Sequence, residues 1–300
     1  MIVSFIDDHK AEYGVESICS QLPIAPSTFY EHKAREADED RLPPREKRDR
    51  ELSIAIQRVW KENFRVYGAR KIWRQLNRET IRVARCTVER VMRQLNIQGI
   101  VRGRHRRTTI SDPAANYPAD LVNRQFTATR PNQLWVADFT YVATWSGFVY
   151  VAFITDVFAR KIVGWRVSNS MRTDFVLDAL EQAIWARKDA RGVVHHSDKG
   201  SQYLSIRYTD RLIEAGVASS VGSTGDAYDN ALAETINGLF KTEVVRPRGP
   251  WKGMEDVEYA TLEWVDWFNN RRLLESIGNI PPAEMEVNYY RQIKESAMVA

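Results

Sequence analysis

Near residue 134 the apolar pattern of this 300-residue chain switches to strand-like spacing, and the order of elements that follows leaves few folds open. Three runs, 134–141, 148–156 and 161–168, are rich in Val, Ile, Phe, Tyr and Trp and are joined by turn-like segments. They read as a three-stranded meander. A helix over 172–187, a short strand over 193–196, a helix over 206–215 and a strand over 217–221 come next, and a Gly-rich loop then leads into a further helix. Antiparallel strands followed by alternating helices and strands predict an α/β core of ribonuclease-H-like order, a mixed five-stranded sheet with flanking helices.

Carboxylates fall at informative points of that pattern. Asp138 lies inside the first strand among Trp135, Val136, Ala137 and Phe139, where a charge is costly to bury unless something offsets it. Asp198 directly follows the fourth strand, at the carboxyl end where α/β proteins place ligands. Glu234 sits on the helix after the Gly-rich loop, with Asp229 or Asn230 available to cap it. At about 100° per residue, Asn237, Gly238 and Lys241 share the face of Glu234, while Glu243 points roughly the opposite way. Geometry therefore selects Glu234 over Glu243. Three carboxylates suffice to hold two hard cations, Mg2+ or Mn2+, about 3.5–4 Å apart, leaving room for water and phosphate. Such a pair activates one oxygen and stabilises another in phosphoryl transfer, and no covalent enzyme intermediate is needed. Lys241 is either a phosphate contact or a solvated lysine. His195 and His196 read as packed or hydrogen-bonded residues rather than ligands, and Asp156 reads as a turn residue.

The remainder of the chain is helical and its charge is segregated. The net charge is +4, yet residues 41–107 carry 20 Lys and Arg against 6 Asp and Glu. A polyphosphate partner rewards such clustering through released counterions, although basic stretches also occur as solvated faces. Residues 12–35 read as two short helices broken at Leu22-Pro23-Ile24-Ala25-Pro26, either a helix-turn-helix unit or an ordinary helical hairpin. A better-defined unit follows, with Leu52, Ile56 and Val59 at helical spacing, a middle helix over 69–77 and a last helix led by Arg85-Cys86-Thr87. Val88, Val91, Met92 and Leu95 form the inward stripe of that last helix, so Glu89, Arg90, Arg93 and Gln94 face outward. Arg85, Arg90 and Arg93 are thus candidate contacts to duplex DNA. The charged run holding Arg102, Arg104, Arg106 and Arg107 lacks apolar periodicity and reads as an arm that tracks phosphates, or as a plain linker.

These signals divide the chain into a small helical segment (1–40), a basic helix-turn-helix domain (41–100), an arm and linker (101–130), the catalytic core (131–245) and a C-terminal helical extension (246–300) in which Leu262, Val265 and Phe268 mark a Trp-rich helix. No membrane-spanning or signal segment is expected, which points to the cytoplasm. Cys19 and Cys86 lack partners for a disulfide framework or zinc site and read as buried apolar side chains.

Five stretches together resemble one family: Tyr67-Gly68-Ala69-Arg70-Lys71, Arg85-Cys86-Thr87-Val88-Glu89-Arg90, Leu134-Trp135-Val136-Ala137-Asp138, His196-Ser197-Asp198-Lys199-Gly200-Ser201-Gln202-Tyr203 and Tyr228-Asp229-Asn230-Ala231-Leu232-Ala233-Glu234. The chain is similar to the second-frame (OrfB) transposases of bacterial insertion sequences typified by insertion sequence three, and most of all to mycobacterial and other actinobacterial members. The resemblance implies that Asp138, Asp198 and Glu234 are the family's Asp-Asp-Glu triad, with 35 residues between the last two as in retroviral integrases. Lys241 stands seven positions after Glu234, where those integrases carry a basic residue. It implies a DNA transposase that binds terminal inverted repeats, frees a 3′-hydroxyl and transfers the strand to another phosphodiester, with Lys199, Asn237 and Lys241 near the DNA. Implied partners are the repeat ends and target DNA, a second copy of the chain on DNA, and the upstream-frame protein or a frameshift fusion with it. The expected location is the bacterial nucleoid.

Overall fold

The computed structural model describes residues 2–101, 122, 126–198, 200–221 and 231–299. Three helices open the chain, α1 (Ile2–Tyr13), α2 (Val15–Gln21) and α3 (Pro26–Ala37), closing around Ile6, Ile18, Cys19 and Phe29. Pro26 starts α3 at a position where its missing N–H costs nothing. The sequence pattern predicts only the latter two. Helix α1 buries Ile6 alone, and one apolar anchor produces no periodicity to read.

The second helical unit follows expectation. Helix α4 (Pro44–Glu62) buries Leu52, Ile56 and Val59, α5 (Ala69–Arg78) buries Ile72 and Leu76, and α6 (Arg85–Gln94) buries Val88, Val91 and Met92. Cys86, expected inside, is exposed because it lies in the first turn of α6 on the side away from that stripe.

Strands β1 (Leu134–Thr144), β2 (Gly147–Asp156) and β3 (Lys161–Ser168) form the predicted antiparallel meander, and β4 (Val194–Ser197) and β5 (Ala218–Val221) extend it in parallel on the far side of β1. The order β3-β2-β1-β4-β5 puts β1 in the centre. Strand alternation gives the sheet two apolar faces. Trp135 and Ala137 of β1, with Ala152 and Ile154 of β2, pack on α7 (Thr173–Arg187) and α8 (Ile206–Glu214). Helix α7 comes very close to β3, since a Cβ on Gly164 would sit 2.1 Å from the Ala179 carbonyl oxygen. Leu134, Val136 and Val142 look the other way, toward α9 (Ala231–Phe240) and α11 (Met254–Asn270).

Between those helices the chain widens into a π-helical turn, Lys241–Val245, and one further turn, α10 (Arg246–Arg248). Of the residues that mark α11 in the sequence, Val265 and Phe268 are buried, with Val257, Ala260, Thr261 and Trp264, while Leu262 is exposed. Its Asn269 side chain accepts from Ile162 N at 2.9 Å and donates to Ile162 O at 2.8 Å, covering part of the β3 edge as a strand would. Helix α12 (Pro282–Val299) ends the chain.

One apolar cluster joins parts that the sequence separates, running from Ile56, Tyr67 and Ile72 through Trp267, Trp264 and Phe268 to Phe153 and Val151. Polar contacts seal the same junction. Trp267 Nε1 donates to Asn63 Oδ1 at 3.0 Å, and the Tyr67 hydroxyl accepts from Leu273 N at 2.7 Å.

Candidate active site

Register brings two of the predicted carboxylates side by side. Ala137 of β1 pairs with Ser197 of β4, so the next residues, Asp138 and Asp198, sit at neighbouring positions on adjacent strands, roughly 4.8 Å apart along the hydrogen-bonding direction. The β1–β4 ladder stops there, at the carboxyl end of β4 and part-way along β1. Asp138 Oδ1 accepts from Phe139 N at 2.8 Å, Asp138 Oδ2 accepts from Asn237 Nδ2 at 2.9 Å, and Asp198 Oδ1 accepts from Gly200 N at 3.0 Å. Burial pushes the Asp138 carboxyl up to about 8, and the charges of Asp198 and, more weakly, Glu234 add to that rise. Burial also raises Asp198, against the pull of the Gly200 amide and His196. Like charges held together at a strand end are what a bound cation would relieve.

Helix α9 supplies the rest of the site. Ala233, Ile236 and Phe240 pack against the sheet, so the helix lies across β1 with Asn237 buried over Asp138 and Glu234 at the exposed rim. Lys241, one turn beyond Asn237, is half-buried, with Nζ 5.0 Å from the centre of the Tyr141 ring. Desolvation lowers its pKa, and the Asp138 charge opposes that. The expected capping residues Asp229 and Asn230, together with Lys199, lie outside the described residues.

The donor set suits a hard cation. It consists of carboxylate oxygens, and beside them Asn237 Oδ1 and the Tyr203 hydroxyl are buried with no hydrogen-bond partner among the described residues. Among the described residues no three His, Cys, Asp or Glu side chains are gathered closely enough to hold a metal ion, so Glu234 at the rim does not close a three-carboxylate cage with Asp138 and Asp198. Magnesium does not require one, since it usually takes one or two carboxylates and completes its shell with water and phosphate.

Residues set aside on sequence grounds have structural partners. His195 Nε2 lies 3.0 Å from the Tyr208 hydroxyl, His196 Nδ1 lies 2.9 Å from Ser220 Oγ, and burial lowers His195 to about 3. Glu243 is buried in the π-helical turn, accepting from Trp264 Nε1 at 3.0 Å and paired with Arg272. Asp156 is fully buried, accepting from Asn132 N at 2.8 Å and Phe158 N at 3.0 Å and sharing Arg187 with Glu286 of α12.

Two candidate DNA contacts have partners within the protein. Asn237 is buried, and its amide group donates to Asp138. Arg90 is not free on the outer face of α6, because its guanidinium grips Asp49 of α4 through bonds of 2.9 and 2.7 Å. Arg85 pairs with Glu89 at 3.0 Å on the surface, and Arg93 is exposed without an ion pair among the described residues. Arg102, Arg104, Arg106 and Arg107 lie outside the described residues. Tyr203 and Tyr141 were missed. The only signal for Tyr203 was its place in the stretch that carries Asp198.

A five-stranded sheet of this order, with Asp138 within its central strand β1 and Asp198 just past the end of the neighbouring β4, has the architecture of an integrase-type core. Family profiles agree: "Integrase core domain" profiles match residues 128–227 and 215–282, and an "HTH-like domain" profile matches residues 47–105, spanning most of α4 and all of α5 and α6. The chain is 58% identical to the "Transposase for insertion sequence element IS629" of Shigella sonnei, over 100% of both chains. It is 58% identical to the "Putative transposase for insertion sequence element IS986/IS6110" of Mycobacterium tuberculosis, over 92% of this chain and 99% of that one. Identity is 29% to the "Transposase InsF for insertion sequence IS3A" of Escherichia coli, over 80% of this chain and 83% of that one. The chain belongs to the insertion-sequence transposases of the IS3 type, a family of Asp-Asp-Glu polynucleotidyl transferases with a helix-turn-helix-like DNA-binding domain.

Proposed function

We propose that Asp138, Asp198 and Glu234 are the catalytic carboxylates and hold two divalent ions, Mg2+ or Mn2+, at the ends of an element's DNA. When bound, the ions supply an activated water or 3′-hydroxyl and stabilise the leaving oxygen of the cut phosphodiester. The protein's own residues prepare the place. Asn237 orients Asp138, the Gly200 amide orients Asp198, and Lys241 meets the phosphate beside the cut. Displacement by water frees a 3′-hydroxyl, and that hydroxyl then attacks a second phosphodiester, with no covalent protein–DNA intermediate.

The observation that carries this reading is the register-enforced pairing of Asp138 with Asp198, whose mutual repulsion helps raise the Asp138 carboxyl to about 8. Strand cleavage of repeat-end DNA should be lost in Asp138→Asn, Asp198→Asn and Glu234→Gln with either Mg2+ or Mn2+. Wild-type cleavage by any one of them removes that residue from the catalytic set.

Duplex DNA is engaged through Arg85 and Arg93 of α6, Arg102, Arg104, Arg106 and Arg107 of the arm, and Lys199 near Asp198. Arg90 acts there by fixing the helix to α4. Pairing two element ends calls for at least a dimer on DNA, and the upstream-frame protein, or a fusion with it, is the further protein partner. The working location is the nucleoid. No helix among the described residues is long and apolar enough to cross a membrane. Boundaries near 40, 100, 130 and 245 divide these tasks along the chain.

A further inference from the structure

The hairpin that begins at the catalytic strand holds three large aromatic side chains in solvent: Tyr141 is 57% exposed, Trp145 72% and Phe148 57%. Register explains why. Tyr141 pairs with Tyr150 and Ala143 with Phe148, so Tyr141 and Phe148 are diagonal neighbours on the sheet face that α7 covers, and their rings meet edge to face at 5.4 Å. The first turn of α7 is already used lower down, where Phe175 packs on Phe139 at 5.4 Å and Tyr150 at 6.3 Å. Tyr141 and Phe148 project past the end of that helix.

This corner is open and firmly held. Strand β1 pairs with β4 only from Leu134 to Ala137, so beyond Asp138 its outer edge has no strand neighbour among the described residues. Thr144 Oγ1 donates to Gly147 O at 2.7 Å within the turn, and Trp145 N donates to Trp251 O at 3.0 Å, which pins the tip to the C-terminal helical part. An open edge with bare aromatic rings is a liability unless something binds there. Asp138, three residues before Tyr141 on the same strand, faces the opposite side of the sheet, and the Lys241 ammonium, one turn beyond the Asn237 that holds Asp138, reaches over the Tyr141 ring at this free edge and links the two sides.

We propose that Tyr141 and Phe148, with Trp145 at the tip, form a stacking platform for unpaired bases at the DNA end cut beside Asp138. This rests on the catalytic reading above, and it names the form of DNA that the site takes. A nucleotide offers a flat π face to Tyr141 and a phosphate to Lys241 within one ligand, a pairing that an apolar protein surface lacks. Bases inside a duplex have both faces covered by neighbours, so the rings can reach only a frayed or single-stranded terminus. Stacking of this kind tolerates any base, which suits a platform at the cut rather than a reader of the repeat.

The test uses the full chain without divalent ions, so that DNA is bound and not cut. Ligands are repeat-end duplexes that finish blunt or in a short overhang, with 2-aminopurine either at the terminus or well inside. The wild type should favour the overhang and quench terminal 2-aminopurine only. Tyr141→Ala and Phe148→Ala should each weaken overhang binding by about ten-fold and abolish the quench, leaving blunt-duplex binding unchanged as the sign of an intact fold; Tyr141→Phe should behave as wild type. Unaltered overhang binding and quenching in both alanine variants would overturn the proposal. So would equal losses on both DNAs, or a change in self-association instead, which would assign the patch to a second copy of the chain. Asp138→Asn separates the two readings, because it should stop cleavage and keep the quench. If it cleaves, the catalytic assignment falls while the quench still judges the platform.

Discussion

Asp138 is where a single side chain does most to set the protein's behaviour. Its carboxyl is pushed up to about 8 from an ordinary value of 3.8, so the ion-free fold favours the protonated form. The sign follows from linkage. An acid whose folded pKa is raised contributes stability that is present below the unfolded pKa and is lost as pH rises through the folded one. The melting temperature of the ion-free protein should therefore decline between about pH 4 and pH 8, and Asp138→Asn should flatten that decline, as read by thermal melts in chelator. Divalent ions must displace the same proton, so their affinity should climb with pH over that range, with proton uptake by the buffer as the calorimetric readout. The sequence made Asp138 and Asp198 legible as candidates because each interrupts or ends an apolar run. It could not reveal their partnership, which depends on β4 docking in parallel beside β1.

Among the elements, α6 and the π-helical turn after α9 divide their charged residues between surface and interior. Arg93 faces outward without an ion pair among the described residues, whereas Arg90 clamps Asp49. Arg93→Ala should weaken binding across DNA sequences and reduce the salt slope by about one, whereas Arg90→Ala should cost stability first, which denaturant melts and salt titrations together would separate. Helical spacing alone put both arginines on the outer face, because it describes one helix without the helix beside it. In the π-helical turn, Glu243 and Arg272 form a buried pair that joins the catalytic core to the segment following α11. Arg272→Met should destabilise the protein by about 3–5 kcal/mol by leaving Glu243 buried and unpaired, while joint replacement by Arg272→Met and Glu243→Leu should recover most of the loss. A double-mutant cycle in urea would show the coupling. Near-additive effects would mean that the pair is dispensable.

For the whole molecule, the decisive feature is the apolar cluster shared by α4, α5, the sheet and α11. It makes the helical unit and the catalytic core one cooperative body, with α11 wedged between them through Trp264 and Trp267. Trp267→Ala should cost about 3–5 kcal/mol and lower a single calorimetric transition that includes both units. Two separable transitions in the wild type would contradict this. Under the function proposed above, such a junction would hold the DNA-binding helices at a fixed distance from Asp138 and Asp198.

The sequence by itself determined the elements that local chemistry can specify, namely the meander, the alternating helices and strands after it, the basic helical unit and three carboxylates in distinctive surroundings. Periodicity reports which side of an element is apolar, and that is local information. Tertiary structure alone decided which faces met. It left Leu262 of α11 outside, gave Arg90 and Asn237 the partners Asp49 and Asp138, and left Tyr141 and Phe148 bare past the end of α7. Each of these outcomes depends on residues far apart in the chain, whose approach is settled by packing and register and leaves no mark in a window of neighbouring residues.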